Sequence, residues 1–311
     1  MRKFINVNCI LYTVYCKLYT VNRKLSTVNS KTLMRVLLLS FVLISFLASC
    51  SSTKFKDVTY GIKAEQSELK LNIFVPRKAS KNPMPVLLFA HGGNWNSGNK
   101  NMYGFIGRNF AKKGVITVIP SYTLSPNANY DQMTREIASA ILWTKEHIKE
   151  YGGDSKQLFV TGHSAGGHLV ALATLNPKYE VAVGTVAGII LNDAAGLDMK
   201  HYFEQYPPST ENDYLKTWTN NPHEWKNASP IYFLNPQSPP FLIYVGKKTY
   251  PSIKVANDRF LRELRSFQKD VSPIYLNKKH IPMVLQYFWP WSDRFDETVD
   301  FMKSTKNDGK K

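Results

Sequence analysis

The apolar positions of this chain fall into short continuous runs separated by stretches with helical spacing. Val86-Leu-Leu-Phe-Ala90, Val115-Ile-Thr-Val-Ile119, Gly188-Ile-Ile-Leu-Asn192 and Phe241-Leu-Ile-Tyr-Val245 are runs of strand length with no polar alternation, the pattern of strands buried on both faces. Lys70 to Val75 alternates and stops at Pro76, which predicts an early antiparallel strand. Leu158-Phe-Val-Thr161 and Pro273 to Leu276 add two more. Helices are predicted over roughly Tyr103 to Lys113, Asn129 to Tyr151, residues 165–175, Val255 to Phe267 and Ser292 to Lys303. In the second of these Ile137, Ile141, Leu142 and Ile148 keep helical spacing, and Gly152-Gly153 supplies the stop. Strands alternating with helices predict an α/β fold, a mainly parallel twisted sheet covered on both faces. Residues 198–235 break the alternation and are rich in Tyr, Trp, Asn and Pro. They are read either as a small cap over a site or as an ordinary long excursion.

The N-terminus has a different texture. Residues 11–31 repeat with period seven, but the units are filled with Thr, Asn and Tyr, poor helix formers. Residues 1–33 are therefore read as a low-complexity leader ahead of a start at Met34. From there Arg35 gives a short basic region, Val36 to Leu47 an apolar run and Leu47-Ala48-Ser49-Cys50 a small-residue cleavage site. The run is shorter than the ~20 residues that a spanning helix needs. The pattern resembles a bacterial lipoprotein signal peptide over 34–49, with Cys50 as the lipidated residue, 50–59 as a polar tether, a folded domain over 60–303 and a basic tail over 304–311. The expected address is the bacterial cell envelope, as a periplasmic or outer-membrane lipoprotein held to the membrane through its lipid.

Composition changes this picture little. The formal charge of +17 is inflated by seven basic residues and no acid within 1–49, leaving 33 Lys and Arg against 23 Asp and Glu. No basic stripe interleaved with aromatics is present, so nucleic acid is not an expected partner. The three cysteines are Cys9, Cys16 and Cys50, so the body after Cys50 holds no disulfide, thiol nucleophile or cysteine metal site. No clustered metal-ligand pattern suggests a metal site, and no organic cofactor is implied. The sequence leaves the oligomeric state open.

The chemistry concentrates in two motifs. Gly162-His163-Ser164-Ala165-Gly166 follows a strand and opens a small-residue helix, the setting in which G-x-S-x-G presents a nucleophilic serine on a sharp turn. His91-Gly92-Gly93-Asn94-Trp95 follows the strand at Val86, where two glycines let backbone N–H groups approach a substrate oxygen. Asn94, Trp95 and His163 are candidate substrate contacts. His163 and His168 flank the nucleophile and also suit packing around the turn. A general base near neutral pH calls for a histidine, and the chain order serine, acid, histidine that accompanies G-x-S-x-G selects His280, the only one after His223. His147 is expected on a helix surface, and His201 and His223 lie in the 198–235 excursion.

Together with Ser121-Tyr-Thr-Leu-Ser-Pro126 and Tyr151-Gly-Gly-Asp154, these motifs resemble the carboxylesterase and hormone-sensitive-lipase-like α/β-hydrolases over about 60–303. The nearest branch in pattern holds bacterial feruloyl and acetyl-xylan esterases and kynurenine formamidases. The resemblance implies an oxyanion hole from Gly92, Gly93 and the N–H of Ala165, and an acyl-enzyme on Ser164. Asn94 replaces a third glycine and Thr123 a usual Arg. The acid departs too: the family places Asp three residues past the glycine of Gly246-Lys-Lys-Thr249, where this chain has Thr, and Asp258 falls within a predicted helix. Asp193, at the end of the preceding strand, is the candidate acid. Asp198 comes second, and a Ser-His dyad is the third option. The expected activity is hydrolysis of a small acyl, carbohydrate or aryl ester. An amide or formamide hydrolase and an inactive binding protein are the alternatives.

Overall fold

The computed structural model describes residues 52–62, 67–78, 80–209 and 214–308, so residues 1–33, the proposed signal peptide and Cys50 lie outside the described residues. Eight strands form one sheet: β1 (Ser52–Ile62), β2 (Glu68–Pro76), β3 (Met84–Ala90), β4 (Ile116–Pro120), β5 (Gly153–His163), β6 (Gly188–Asn192), β7 (Phe241–Gly246) and β8 (Ile274–Leu276). Their spatial order is β1-β2-β4-β3-β5-β6-β7-β8. β1 pairs antiparallel with β2, and β2 with β4; every later pairing is parallel. The helices are α1 (Gly104–Lys112), α2 (Tyr130–His147), α3 (Ala165–Leu175), α4 (Met199–Gln205), α5 (Tyr214–Trp218), α6 (Pro222–Asn227), α7 (Pro251–Leu264), α8 (His280–Leu285) and α9 (Asp293–Asp308).

The unbroken apolar runs follow from two-sided burial. Along β3, Val86 and Leu88 pack into one core with Ile137, Leu169 and Leu264, while Leu87 and Phe89 pack into a second with Phe110, Met283 and Phe295. Successive side chains of a strand point to opposite faces, so each face needs its own apolar partners. Helices α2, α3 and α7 supply the first set and α1, α8 and α9 the second. Each fully buried Leu, Ile or Phe contributes roughly 1.5–3 kcal/mol, which makes this double core the main source of stability.

Two expectations are corrected. Residues from Ser52 onward, read as the end of a tether, form edge strand β1, anchored where Asn72 Oδ1 accepts from the Asp57 N–H at 3.1 Å and Lys100 pairs with Asp57 at 2.8 Å. Its side chains are mostly exposed, so no hydrophobic alternation betrayed it. The basic tail begins inside α9, which runs to Asp308. His280 opens the short helix α8. The 198–235 segment carries α4, α5 and α6, and its Met199, Tyr202 and Tyr214 line a cavity at the C-terminal edge of the sheet, as a cap does.

Candidate active site

β5 ends at His163 and α3 begins at Ala165, so the chain reverses at Ser164 with φ 55° and ψ −124°. A serine held at positive φ is strained, and close packing imposes it. A Cβ on Gly166 would lie 2.1 Å from the carbonyl oxygen of Ala90, and one on Gly162 2.3 Å from the Gly166 carbonyl carbon. Glycine on both sides lets the turn close. Ser164 is thereby set at the head of α3, where helix N–H groups favour negative charge.

The structure brings Ser164, His280 and Asp193 together. His280 Nε2 lies 2.9 Å from Ser164 Oγ, and Nδ1 lies 2.6 Å from Asp193 Oδ2. Because a carboxylate only accepts, Nδ1 carries the proton and Nε2 is left to accept from the serine hydroxyl. Asp193 follows β6 at φ 50°, fully buried. Its Oδ1 accepts from the Gly246 N–H at 2.9 Å, and its Oδ2 also accepts from the Thr249 hydroxyl at 2.5 Å. The carboxylate is thus fully satisfied, as a buried charge must be. Thr249 therefore serves the acid from the neighbouring strand end, a role that its residue type alone did not announce. Asp198 is engaged elsewhere: it caps α4 through the His201 N–H at 3.1 Å and pairs with Arg259 at 2.7 Å. Since Asp193 contacts the imidazole directly, a dyad without an acid does not describe this arrangement.

The loop after β3 runs past the nucleophile. A Cβ on Gly92 would sit 2.8 Å from the His163 carbonyl oxygen and 3.2 Å from Ser164 Cβ, so only glycine permits the approach. The Gly92 carbonyl accepts from His91 Nδ1 at 2.9 Å, and the Gly93 carbonyl accepts from the Asn96 and Ser97 amides at 3.1 and 2.9 Å. Gly92 and Gly93 thus line the cavity beside Ser164, with Gly92 supplying the close approach. Asn94 Oδ1 accepts from the Tyr214 hydroxyl at 3.1 Å, tying the loop to α5.

A cavity of about 710 Å³ opens on these residues, walled by Trp95, Tyr103, Phe105, Met199, Tyr202 and Leu285 among others. His163 also lines it, whereas the rings of His201 and His223 do not. Phe288, Trp289 and Trp291 are solvent-exposed. Among the described residues, no group of three or more His, Cys, Asp or Glu side chains is placed to hold a metal ion.

Two buried histidines fix the surroundings in a neutral state. His168 accepts from the Trp95 indole N–H at 3.1 Å and donates through Nε2 to the Ala228 carbonyl at 2.7 Å, and burial pushes its pKa down to about 4. Burial likewise pushes His163 down to about 3, with the nearby His280 adding to the effect. In the unfolded chain both titrate near 6.5. Above that pH both states are neutral and the stability is full; below it the unfolded chain binds protons first, and stability is lost as pH falls towards the folded values. For His168 the loss is on the order of 3 kcal/mol. A Tm that falls between pH 6.5 and 4.5, and falls less steeply in His168→Gln, is the expected result; equal slopes would refute this account.

The BD-FAE family model matches residues 71–264. Esterase LipC of Mycobacterium tuberculosis is 27% identical over 206 residues, covering 62% of this chain and 50% of LipC. Esterase LipQ of the same organism is 30% identical over 217 residues, covering 65% of this chain and 50% of LipQ. The chain thus spans about half the length of these curated relatives. A solved truncated carbohydrate esterase from gut microbiota superposes with a TM-score of 0.70 at 21% identity, covering 83% of this chain and 98% of that one, a likeness of fold. The strand-turn-helix at Ser164, the glycine loop after β3 and the strands that position them all lie inside the matched span, and the chain belongs to the BD-FAE family of α/β-hydrolases.

Proposed function

We propose that this protein is a serine hydrolase that cleaves carboxylic esters through an acyl-enzyme on Ser164. The observation that carries the reading is the continuous contact from Ser164 Oγ to His280 to Asp193, at 2.9 and 2.6 Å. His280 Nε2 takes the hydroxyl proton as Oγ attacks the ester carbonyl carbon. The oxygen that gains charge is met by the N–H groups of Gly92, Gly93 and Ala165. Asp193 stabilises the imidazolium without taking its proton. The imidazolium then gives that proton to the departing alkoxide, and a water activated by the same nitrogen hydrolyses the acyl-enzyme. An inactive binding protein has no need for a strained serine aligned with a buried His-Asp pair.

The apolar, aromatic cavity suits an aryl or short acyl group, and we take the substrate to be a small acyl or aryl ester, including esters carried on carbohydrate. A fluorophosphonate probe should label the intact protein on the peptide that contains Ser164, and should leave Ser164→Ala unlabelled. A panel of nitrophenyl acyl esters, feruloyl esters and acetylated xylan then ranks the substrates. Labelling at another residue, or no Ser164-dependent turnover of any ester, would overturn the reading. We further propose that Cys50 is lipidated and holds the protein at the cell envelope, supported by the apolar run and small-residue site before it. Incorporation of labelled palmitate that persists in Cys50→Ala would refute it.

A further inference from the structure

The base belongs to α8, a helix of six residues that is too short to hold its position by its own hydrogen bonds. Two side chains from the sheet reach its backbone. His163 donates from Nε2 to the carbonyl oxygen of His280 at 3.0 Å, and Asn192 donates from Nδ2 to the carbonyl oxygen of Met283 at 3.0 Å. These two residues are partners in the ladder between β5 and β6. Each also immediately precedes a site residue, His163 before Ser164 and Asn192 before Asp193. The strand ends that present the serine and the carboxylate therefore also grip the helix that carries the imidazole between them. Both gripping side chains are buried.

We propose that His163 and Asn192 are positioning residues: a two-point clamp that fixes α8 so that the His280 ring stays in line with Ser164 and Asp193. The assignment rests on the reading of Ser164 and His280 as the working pair. The His163 ring also stacks on the His280 ring, with centroids 4.5 Å apart and planes 30° apart. A neutral imidazole suits that place, because it adds no repulsion when His280 becomes imidazolium, and burial keeps His163 neutral down to acidic pH. Without the clamp α8 keeps the packing of its buried Met283 and Val284 but loses both hydrogen bonds that join its backbone to the strand ends. A misplacement of about 1 Å at a reacting group can cost on the order of 100-fold in rate.

The test uses the full chain and separates the hydrogen bond from the stack. His163→Phe keeps an aromatic ring and loses the donor; His163→Gln keeps an N–H donor at a similar reach and loses the ring. Asn192→Leu removes the second grip while keeping the branched four-atom shape of the side chain, and stands in if the Phe variant does not fold. His163→Phe and Asn192→Leu should each lower kcat for a nitrophenyl ester ~10- to 100-fold with KM changed less than about twofold. Hydrogen exchange should rise in the peptide spanning 277–288 and stay unchanged in the strands. His163→Gln should recover most of the lost kcat and of the lost exchange protection. If His163→Phe keeps both, or if the Gln variant is as impaired as the Phe variant, the hydrogen bond is not what holds the helix. The exchange measurement needs no turnover, so a protein that cleaves no ester would sink the proposed activity while leaving the clamp to be judged on exchange alone.

Discussion

Ser164→Ala is expected to lower kcat on a reactive nitrophenyl ester by roughly 10⁵- to 10⁶-fold while leaving the fold and KM nearly unchanged. The size of the effect follows from what remains. The imidazole, the carboxylate and the glycine loop keep their places, because Ser164 is set by the backbone packing of Gly162 and Gly166 rather than by its own side chain. What vanishes is the atom that forms the covalent bond, and with it the two-step route. A residual acceleration from the N–H groups around the carbonyl should persist above the rate in water. Pre-steady-state mixing would check this: wild type should release a burst of nitrophenol equal to the enzyme present, and the variant none. A burst in the variant would mean that another residue attacks.

Asp193→Asn should cost about 10⁴-fold in kcat. The amide is nearly isosteric, so the effect lies in the proton rather than in packing. Asn presents an N–H where the carboxylate presented only lone pairs, and the imidazole then favours the tautomer with its proton on Nε2, which faces Ser164 and can no longer accept. Thr249 gives a graded control. Its hydroxyl is the second donor to the same Oδ2 that holds His280. Thr249→Val should cost no more than about tenfold, because Gly246 and His280 still hold the carboxylate. Steady-state kinetics at saturating ester distinguishes the two variants. If Thr249→Val proved as damaging as Asp193→Asn, the negative charge would be the smaller part of what this pocket provides.

How much of this was legible in the sequence depended on whether a feature is local. The turn at Ser164 is written in five consecutive residues, since each glycine answers to a clash within or beside the turn. The central strands were legible because burial on two faces leaves no room for polar positions. His280 followed from chain order alone. Asp193 could be ranked ahead of Asp198 by its place at a strand end, but the two lie five residues apart and what distinguishes them is tertiary: Thr249 and His280 for one, Arg259 for the other. Strand β1 was hidden because edge position leaves its side chains in solvent, and the grips from His163 and Asn192 on α8 were hidden because they join residues 117 and 91 positions apart.

That distance in sequence has a consequence for how the molecule comes to life after synthesis. The serine and the imidazole are 116 residues apart, the imidazole and its carboxylate 87, and the segments between them must find parallel neighbours before the three can meet. Parallel pairing is slow to nucleate, since long loops close before any contact repays them. Turnover should thus appear last during refolding, behind the recovery of helical signal. An emerging polypeptide still lacking residue 280 would pass through the cell with its ester chemistry switched off.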